Sequence, residues 1–112
     1  MIQIWGTKKC RDTQKAIRFF KERRIPVQFI DLKIKGMSAG EIRSIHRALG
    51  TYPIDRKSRV FQKVVQPGVY FDPAQLMEEY PEVLLTPVVR NANQAAVGHQ
   101  PSVWQKWVEE LP

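Results

Sequence analysis

The first third of the chain alternates between apolar runs and one amphipathic stretch. Ile2, Ile4 and Trp5 form an apolar run that predicts a first strand, and residues 27–32 predict a second. Between them, residues 12–24 predict a helix, because apolar side chains recur at helical spacing on one face and basic side chains on the other. A strand, a helix and a strand of these lengths favour two parallel strands joined by a right-handed crossover.

The middle of the chain has a helical and more polar pattern. Ser38 and Glu41 have the spacing of a capping box, and the apolar stripe that follows them ends at a glycine, which together predict one helix. Asp72 and Pro73 predict the N-cap and first turn of a second, short helix. We interpret residues of about 35–84 as a helical insertion that packs on one side of the remaining structure, since this segment is too short to bury a core well by itself.

The end of the chain predicts a hairpin and a helix. Residues 86–90 and 94–97 predict two antiparallel strands around a short polar turn. A last helix begins near Pro101 and carries a broad apolar stripe that should pack on the sheet. The pattern therefore predicts an α/β protein with a mixed four-stranded sheet, built as βαβ, a helical insertion and ββα, in a single domain over residues 1–112.

Composition narrows the class of protein further. A chain of 112 residues with 43% hydrophobic content is large enough for one core. No run approaches the roughly 20 apolar residues of a membrane span, and the N-terminus lacks the pattern of a signal peptide. The single cysteine cannot form an intramolecular disulfide or a cysteine-cluster metal site. We therefore expect a cytoplasmic monomer with no metal and no membrane contact.

Charge is distributed unevenly along the chain. Residues 1–59 carry 15 Lys or Arg and 5 Asp or Glu, whereas residues 60–112 carry 3 and 6. This asymmetry is compatible with nucleic acid, with an acidic protein partner, with a small anionic substrate, or with an ordinary solvated basic face. Because the aromatic residues do not interleave with the charges as stacking platforms require, direct nucleic-acid binding is not expected.

The cysteine, Cys10, lies where the first strand meets the first helix, and we expect it in the first turn of that helix. The free backbone N–H groups and the positive dipole end of a helix start stabilise a thiolate. Lys9 and Arg11 flank Cys10, and Thr13 lies one turn further on, where its hydroxyl could donate to the sulfur. A lone cysteine is also commonly a small buried hydrophobe. From the residues alone, the two interpretations are about equally favoured.

Three segments of the chain resemble the arsenate reductase (ArsC) superfamily. They are the run Trp-Gly-Thr-Lys-Lys-Cys-Arg-Asp-Thr-Gln-Lys-Ala at 5–16, the segment 55–63, and the run Leu-Leu-Thr-Pro-Val-Val at 84–89 with Val97 and Gly98 after it. That superfamily has a thioredoxin-like fold and includes the YffB-type proteins, thought to be glutathione-dependent thiol reductases, and the Spx-type transcription regulators. The resemblance covers nearly the whole chain and is closest in character to the YffB type.

The resemblance implies a site around the cysteine. Pro87 would be the cis proline that faces the sulfur in thioredoxin-like folds, and Thr86 would present its backbone as an edge for glutathione. In the arsenate reductases an arginine from the middle of the chain stabilises the oxyanion, a task that suits the planar guanidinium fork. Arg56 is one match and Lys57, which aligns better with some relatives, is the other, so the choice between them stays open.

Two departures from the superfamily pattern change the expected chemistry. The arsenate reductases have an arginine where this chain has Thr86, and a further arginine near the position of Gln100. Without those guanidinium groups a doubly charged arsenate would lack most of its counter-charge, which puts arsenate reduction in doubt. Spx-type regulators carry a second cysteine where this chain has Thr13, so here an oxidised Cys10 must be resolved by an external thiol.

The leading hypothesis is a glutathione-dependent monothiol reductase in which the Cys10 thiolate is the nucleophile. Glutathione or a glutaredoxin would resolve the intermediate, and no bound cofactor is implied. The residues predicted to stabilise the thiolate are Lys9, Arg11 and Thr13, and those predicted to bind substrate or glutathione are Arg56, Lys57, Thr86 and Pro87. The alternative hypothesis is an Spx-like regulatory protein that binds RNA polymerase or another protein without catalysis.

Overall fold

A computed structural model describes residues 1–111 of the chain. Its elements, in chain order, are β1 (Ile2–Gly6), α1 (Arg11–Glu22), β2 (Val27–Asp31), α2 (Ala39–Leu49), α3 (Arg59–Val64), α4 (Pro73–Glu79), a 3-10 turn (Pro81–Val83), β3 (Val88–Asn91), β4 (Gln94–Val97) and α5 (Pro101–Glu110). Pro112, the last residue of the predicted domain, lies outside the described residues.

The four strands form one mixed sheet in the order β2-β1-β3-β4. β1 pairs in parallel with β2 and antiparallel with β3, and β3 pairs antiparallel with β4. The parallel pair is joined through α1, because strands that run in the same direction need a crossover connection. The predicted α/β fold with a mixed four-stranded sheet is confirmed.

Each face of the sheet is covered by its own set of helices. Ile2 and Ile4 of β1 are buried with Phe20 of α1 and Trp104 of α5 on one face, whereas Trp5 is buried on the other face with residues of α2 and α4. This division follows from the alternation of side chains along a strand. Two separate hydrophobic clusters result, one on each face of the sheet.

The helical signals read from the middle of the chain are present in the structure. Ser38 Oγ accepts a hydrogen bond from the Glu41 N–H at 3.2 Å, and Glu41 Oε1 accepts one from the Ser38 N–H at 2.8 Å, so the capping box is complete. Gly50 follows α2 with a positive φ of 77°, which glycine adopts without steric cost. Asp72 caps α4 by accepting from the Ala74 N–H at 3.1 Å.

The structure adds one helix to the sequence prediction and moves the start of two other elements. Helix α3 was not predicted, since its six residues are too few to show an apolar period, although Ser58 caps it and Phe61 anchors it in the core. Helix α1 covers Arg11–Glu22 and not 12–24, so Cys10 is its N-cap and does not lie in its first turn. Strand β3 begins at Val88, two residues later than predicted.

None of the helices within residues 1–111 combines the length and the apolar character that crossing a membrane requires.

Candidate functional site

Cys10 occupies the junction between β1 and α1. Its backbone is extended, with φ −79° and ψ 118°, and its carbonyl accepts the first helical hydrogen bond from the Gln14 N–H at 3.1 Å. Its own N–H donates to the Thr7 carbonyl at 3.2 Å, which closes the turn after β1. The side chain is partly exposed. The sulfur is therefore accessible to solvent at the positive end of the helix dipole.

Thr86 reaches the sulfur from the segment that leads into β3. Its hydroxyl donates a hydrogen bond to Cys10 Sγ at 3.2 Å, and its carbonyl oxygen lies 3.8 Å from the same sulfur. The Thr86–Pro87 peptide bond is cis, as the resemblance implied, and Pro87 is buried. Sequence reasoning gave Thr86 a backbone role only, because the 76 residues between the two side chains hide the contact of its hydroxyl with the sulfur.

Thr13 contributes a second hydroxyl to the site. Its side chain is fully buried, and within residues 1–111 its hydroxyl has no partner at normal hydrogen-bonding geometry. The hydroxyl nevertheless acts on Cys10, where it lowers the pKa of the thiol. A buried hydroxyl left without a partner costs about 1–3 kcal/mol, a cost that an anionic sulfur close by would relieve. The role of Thr13 in stabilising the thiolate, which its spacing suggested, stays a prediction that this direction of the pKa supports.

The pKa of the Cys10 thiol is lowered from its ordinary value. Burial raises this pKa and is the largest single influence, but the hydroxyls of Thr13 and Thr86 and the backbone groups of Thr13 and Asp12 lower it and together prevail. Asp12 and Thr13 are the second and third residues of α1, the positions whose amides an N-cap side chain normally satisfies. The Cys10 sulfur forms no capping hydrogen bond to these amides, but they lie close enough to lower its pKa, which is the environment of a reactive cysteine.

Lys9 and Arg11, the two cations predicted to stabilise the thiolate, have exposed side chains. Neither is among the groups that lower the pKa of Cys10. In water an exposed charge is strongly screened, whereas a buried hydroxyl at short range is not. The contribution of Lys9 and Arg11 stays a prediction. The groups that lower the pKa of Cys10 are neutral hydrogen-bond donors.

Arg56 and Lys57 lie in the loop between α2 and α3. The Arg56 guanidinium carbon is 5.3 Å from the centroid of the Phe71 ring and 5.6 Å from that of Phe61. Arg56 also lines a groove of about 680 Å³ that includes Leu85, the neighbour of Thr86, whereas Lys57 does not line it. Of the two candidate cations Arg56 faces this groove, but within residues 1–111 neither forms a hydrogen bond with the sulfur.

The histidines and carboxylates do not converge on the site. His46 stacks on Tyr52 with ring centroids 4.0 Å apart, and His99 contacts the edge of Trp104. Within the described part of the chain, no group of three or more His, Cys, Asp or Glu residues is arranged to hold a metal ion.

Gly6 leaves the space that the Thr13 side chain occupies, a role that sequence reasoning missed. A Cβ at this position would overlap the hydroxyl and the methyl group of Thr13. We expect Gly6→Ala to displace Thr13 from the sulfur, to raise the pKa of Cys10, and to destabilise the fold by about 1–3 kcal/mol, as overpacking does. The pH dependence of Cys10 alkylation and chemical denaturation measure the two effects.

Gly40 provides the matched control for that substitution. It lies in the first turn of α2, and a Cβ there would meet only an arginine side chain at 3.7 Å. Gly40→Ala should leave the pKa of Cys10 unchanged and stabilise the protein by about 0.5–1 kcal/mol. If both glycine variants behave alike, Gly6 does not position Thr13.

The fold and the site together define a thioredoxin-like α/β protein with one cysteine at the start of its first helix, next to a cis proline. Among solved structures, a YffB protein matches with a TM-score of 0.82 and 22% identity, covering 95% of this chain and 97% of that chain. The arsenate reductase from Vibrio cholerae matches with a TM-score of 0.80 and 19% identity, covering 98% and 97%. The glutaredoxin from Archaeoglobus fulgidus matches with a TM-score of 0.52 and 12% identity, covering 96% and 84%.

These likenesses confirm the predicted thioredoxin-like fold, in the form that the arsenate reductase and YffB structures share. No protein-family model matches the sequence, and no curated protein matches it. At such low identity a structural match establishes the architecture, so the activity has to be argued from the site.

Proposed function

We propose that this protein is a glutathione-dependent monothiol reductase of the arsenate reductase superfamily, similar in character to the YffB-type proteins. The observation that carries the proposal is the partly exposed Cys10 sulfur at the start of α1, with the Thr86 hydroxyl donating to it at 3.2 Å. The lowered pKa of Cys10 increases the thiolate fraction near neutral pH. The thiolate is the form of cysteine that attacks disulfides.

The proposed reaction has two exchange steps. The Cys10 thiolate attacks the glutathione sulfur of a mixed disulfide, forms a disulfide with glutathione, and expels the other thiol as a thiolate. A second glutathione thiolate, or a glutaredoxin, then attacks the glutathione sulfur bound to Cys10. This step yields oxidised glutathione, or the glutaredoxin mixed disulfide, and regenerates the Cys10 thiolate. The external thiol is required because the chain has one cysteine.

Thr86 has the backbone needed to hold a peptide-like thiol at the sulfur. Within residues 1–111 its N–H has no hydrogen-bond partner, and its carbonyl lies beside the sulfur. We propose that the glutathione backbone pairs with Thr86 in the manner of a short strand, next to Pro87. Arg56, and Lys57 in support, would hold a carboxylate of glutathione or of the substrate, because a guanidinium binds carboxylate in two-point contact.

The site argues for thiol exchange over arsenate reduction. The residue before Pro87 is a threonine whose hydroxyl is already engaged by the sulfur. Gln100 directs its amide to the Val97 carbonyl at 3.3 Å. Neither position supplies the positive charge that a tetrahedral oxyanion needs, whereas a disulfide brings no such charge to the site. We propose that the protein works in the cytoplasm, where glutathione is kept reduced.

Incubation with oxidised glutathione tests the proposal directly. We expect intact-mass spectrometry to detect one glutathione per chain, peptide mapping to assign it to Cys10, and excess reduced glutathione to remove it. The rate of adduct formation should follow the thiolate fraction as pH is raised. Absence of the adduct, or an adduct that glutathione cannot remove, would contradict a reductase that turns over with glutathione.

A further inference from the structure

A groove follows the open edge of β4, the outer strand of the sheet next to β3. Its lining includes Ala95, which packs on the side of the helical insertion, and Ala96 and Val103, which pack on the opposite side of the sheet. A surface lined from both faces of one edge strand runs along the edge itself. The other wall of the groove is formed by the segment after α2, including Tyr52 and Ile54.

The hydrogen bonds of the hairpin leave backbone groups of β4 directed into this groove. Asn91 and Gln94 close the hairpin, and the Gly98 N–H donates to the Pro87 carbonyl at 2.8 Å, so in this alternating ladder Ala96 is bonded to β3. Ala95 and Val97 fall between these pairs, with their N–H and C=O groups pointing away from β3.

Helix α2 packs against the face of β4 that carries Ala95, and the outer backbone edge of β4 lines the groove. Gln100 occupies the Val97 carbonyl at 3.3 Å, but within residues 1–111 the N–H and C=O of Ala95 have no partner. β4 has the sequence Gln-Ala-Ala-Val. It contains neither a charged residue nor a proline, the residues that commonly protect exposed edge strands from further pairing. The groove, of about 680 Å³, is lined by three residues of β4, which span roughly 10 Å.

Arg56 is the one charged residue among those that line the groove. The carboxylates of Asp55 and Asp72 are directed to backbone amides outside the lining: Asp55 accepts from Lys57 N–H at 3.0 Å, and Asp72 from the first turn of α4. Beyond Tyr52 the surface continues into a cleft lined by two further arginines, Arg43 and Arg47.

We propose that this groove binds an extended, acidic segment of a partner protein, which adds to β4 as a fifth strand and places a carboxylate on Arg56. A peptide backbone fits because its N–H and C=O groups alternate in the same period as those of Ala95 and Val97. A second copy of this chain fits less well, since each copy carries a net charge of +7. Binding uses Arg56, which the proposed reductase also uses, but it does not require Cys10, so Cys10→Ser separates peptide binding from the proposed reductase activity.

The test uses fluorescence anisotropy with a labelled seven-residue peptide in which glutamate alternates with valine. We expect Cys10→Ser protein to bind it as wild type does, and to bind at least about tenfold more tightly than the same peptide with lysine in place of glutamate. Amide hydrogen exchange at Ala95 should slow by about tenfold when the acidic peptide is added. Equal binding of both peptides, or protection of Ala95 by self-association alone, would overturn the proposal.

Two variants localise the binding, and each has a matched comparison. Arg56→Glu should weaken the acidic peptide by about tenfold, whereas Lys57→Glu, with the same charge change one residue away but outside the groove, should weaken it less than about threefold. Ala95→Pro removes an outward N–H that forms no bond to β3, so it should abolish peptide binding at this edge. Circular dichroism should show that the variant keeps the fold. If Arg56→Glu and Lys57→Glu lose affinity equally, the effect is general charge and the groove is not the site.

Discussion

We expect Cys10→Ser to abolish the proposed turnover with glutathione and oxidised substrate, which lowers the rate by at least about a thousandfold, to the uncatalysed background. A hydroxyl has a pKa far above that of a thiol and forms no disulfide, so neither exchange step can occur. The substitution removes the one sulfur of the chain that can react in this way. A coupled assay that follows oxidised glutathione measures the loss.

The fold should survive this substitution. Cys10 is partly exposed and contributes no buried packing that serine would lose, and serine is a favoured N-cap residue. We expect the midpoint of chemical denaturation to be unchanged or slightly higher. If Cys10→Ser retains glutathione-dependent turnover while folded, the mechanism proposed here is wrong, even if wild-type protein forms an adduct.

The next largest expected effect is on the reactivity of Cys10, when either of the two hydroxyls near its sulfur is removed. Thr13→Val and Thr86→Val each remove a donor that lowers the pKa of Cys10. A hydrogen bond to a charged group contributes about 1.5 kcal/mol, so each substitution should raise the pKa of Cys10. The two donors act on one sulfur, so their effects need not add.

The direction of the pH effect follows from the sign of the shift. A lowered pKa means that the thiolate persists to lower pH in wild type, so each valine variant moves the alkylation profile towards higher pH. Below the pKa, loss of about 1.5 kcal/mol of thiolate stabilisation lowers the thiolate fraction about tenfold. The more basic thiolate is about threefold more nucleophilic, which leaves a net loss in rate of about three- to fourfold. Alkylation rates with iodoacetamide between about pH 5 and 10 measure both quantities.

Serine at the same positions supplies the control. Thr13→Ser and Thr86→Ser keep the hydroxyl and lose only a methyl group, so they should restore a pKa close to that of wild type. If the serine variants shift the profile as much as the valine variants, the effect comes from packing around the sulfur and not from the donated hydrogen bonds.

The elements with strong local signals could be predicted from the sequence. The capping box at Ser38, the glycine after α2 and the Asp72-Pro73 start of α4 are set by neighbours within four residues, and the structure has all three. The short apolar run of β1 and the hairpin at 88–97 were likewise found from period and turn residues. Helix α3 was not predicted because it buries one side chain, Phe61, and shows no repeating pattern of apolar residues.

What the sequence by itself determined is the position of the cysteine at a strand-to-helix junction and the order of elements around it, since both depend on nearest neighbours along the chain. What only the tertiary structure decided is which groups act on that sulfur. Thr86 is 76 residues away, Gly6 matters through the space it leaves for Thr13, and the free edge of β4 exists only once the sheet has formed. Such contacts depend on packing across the sheet, and no local pattern in the sequence encodes them.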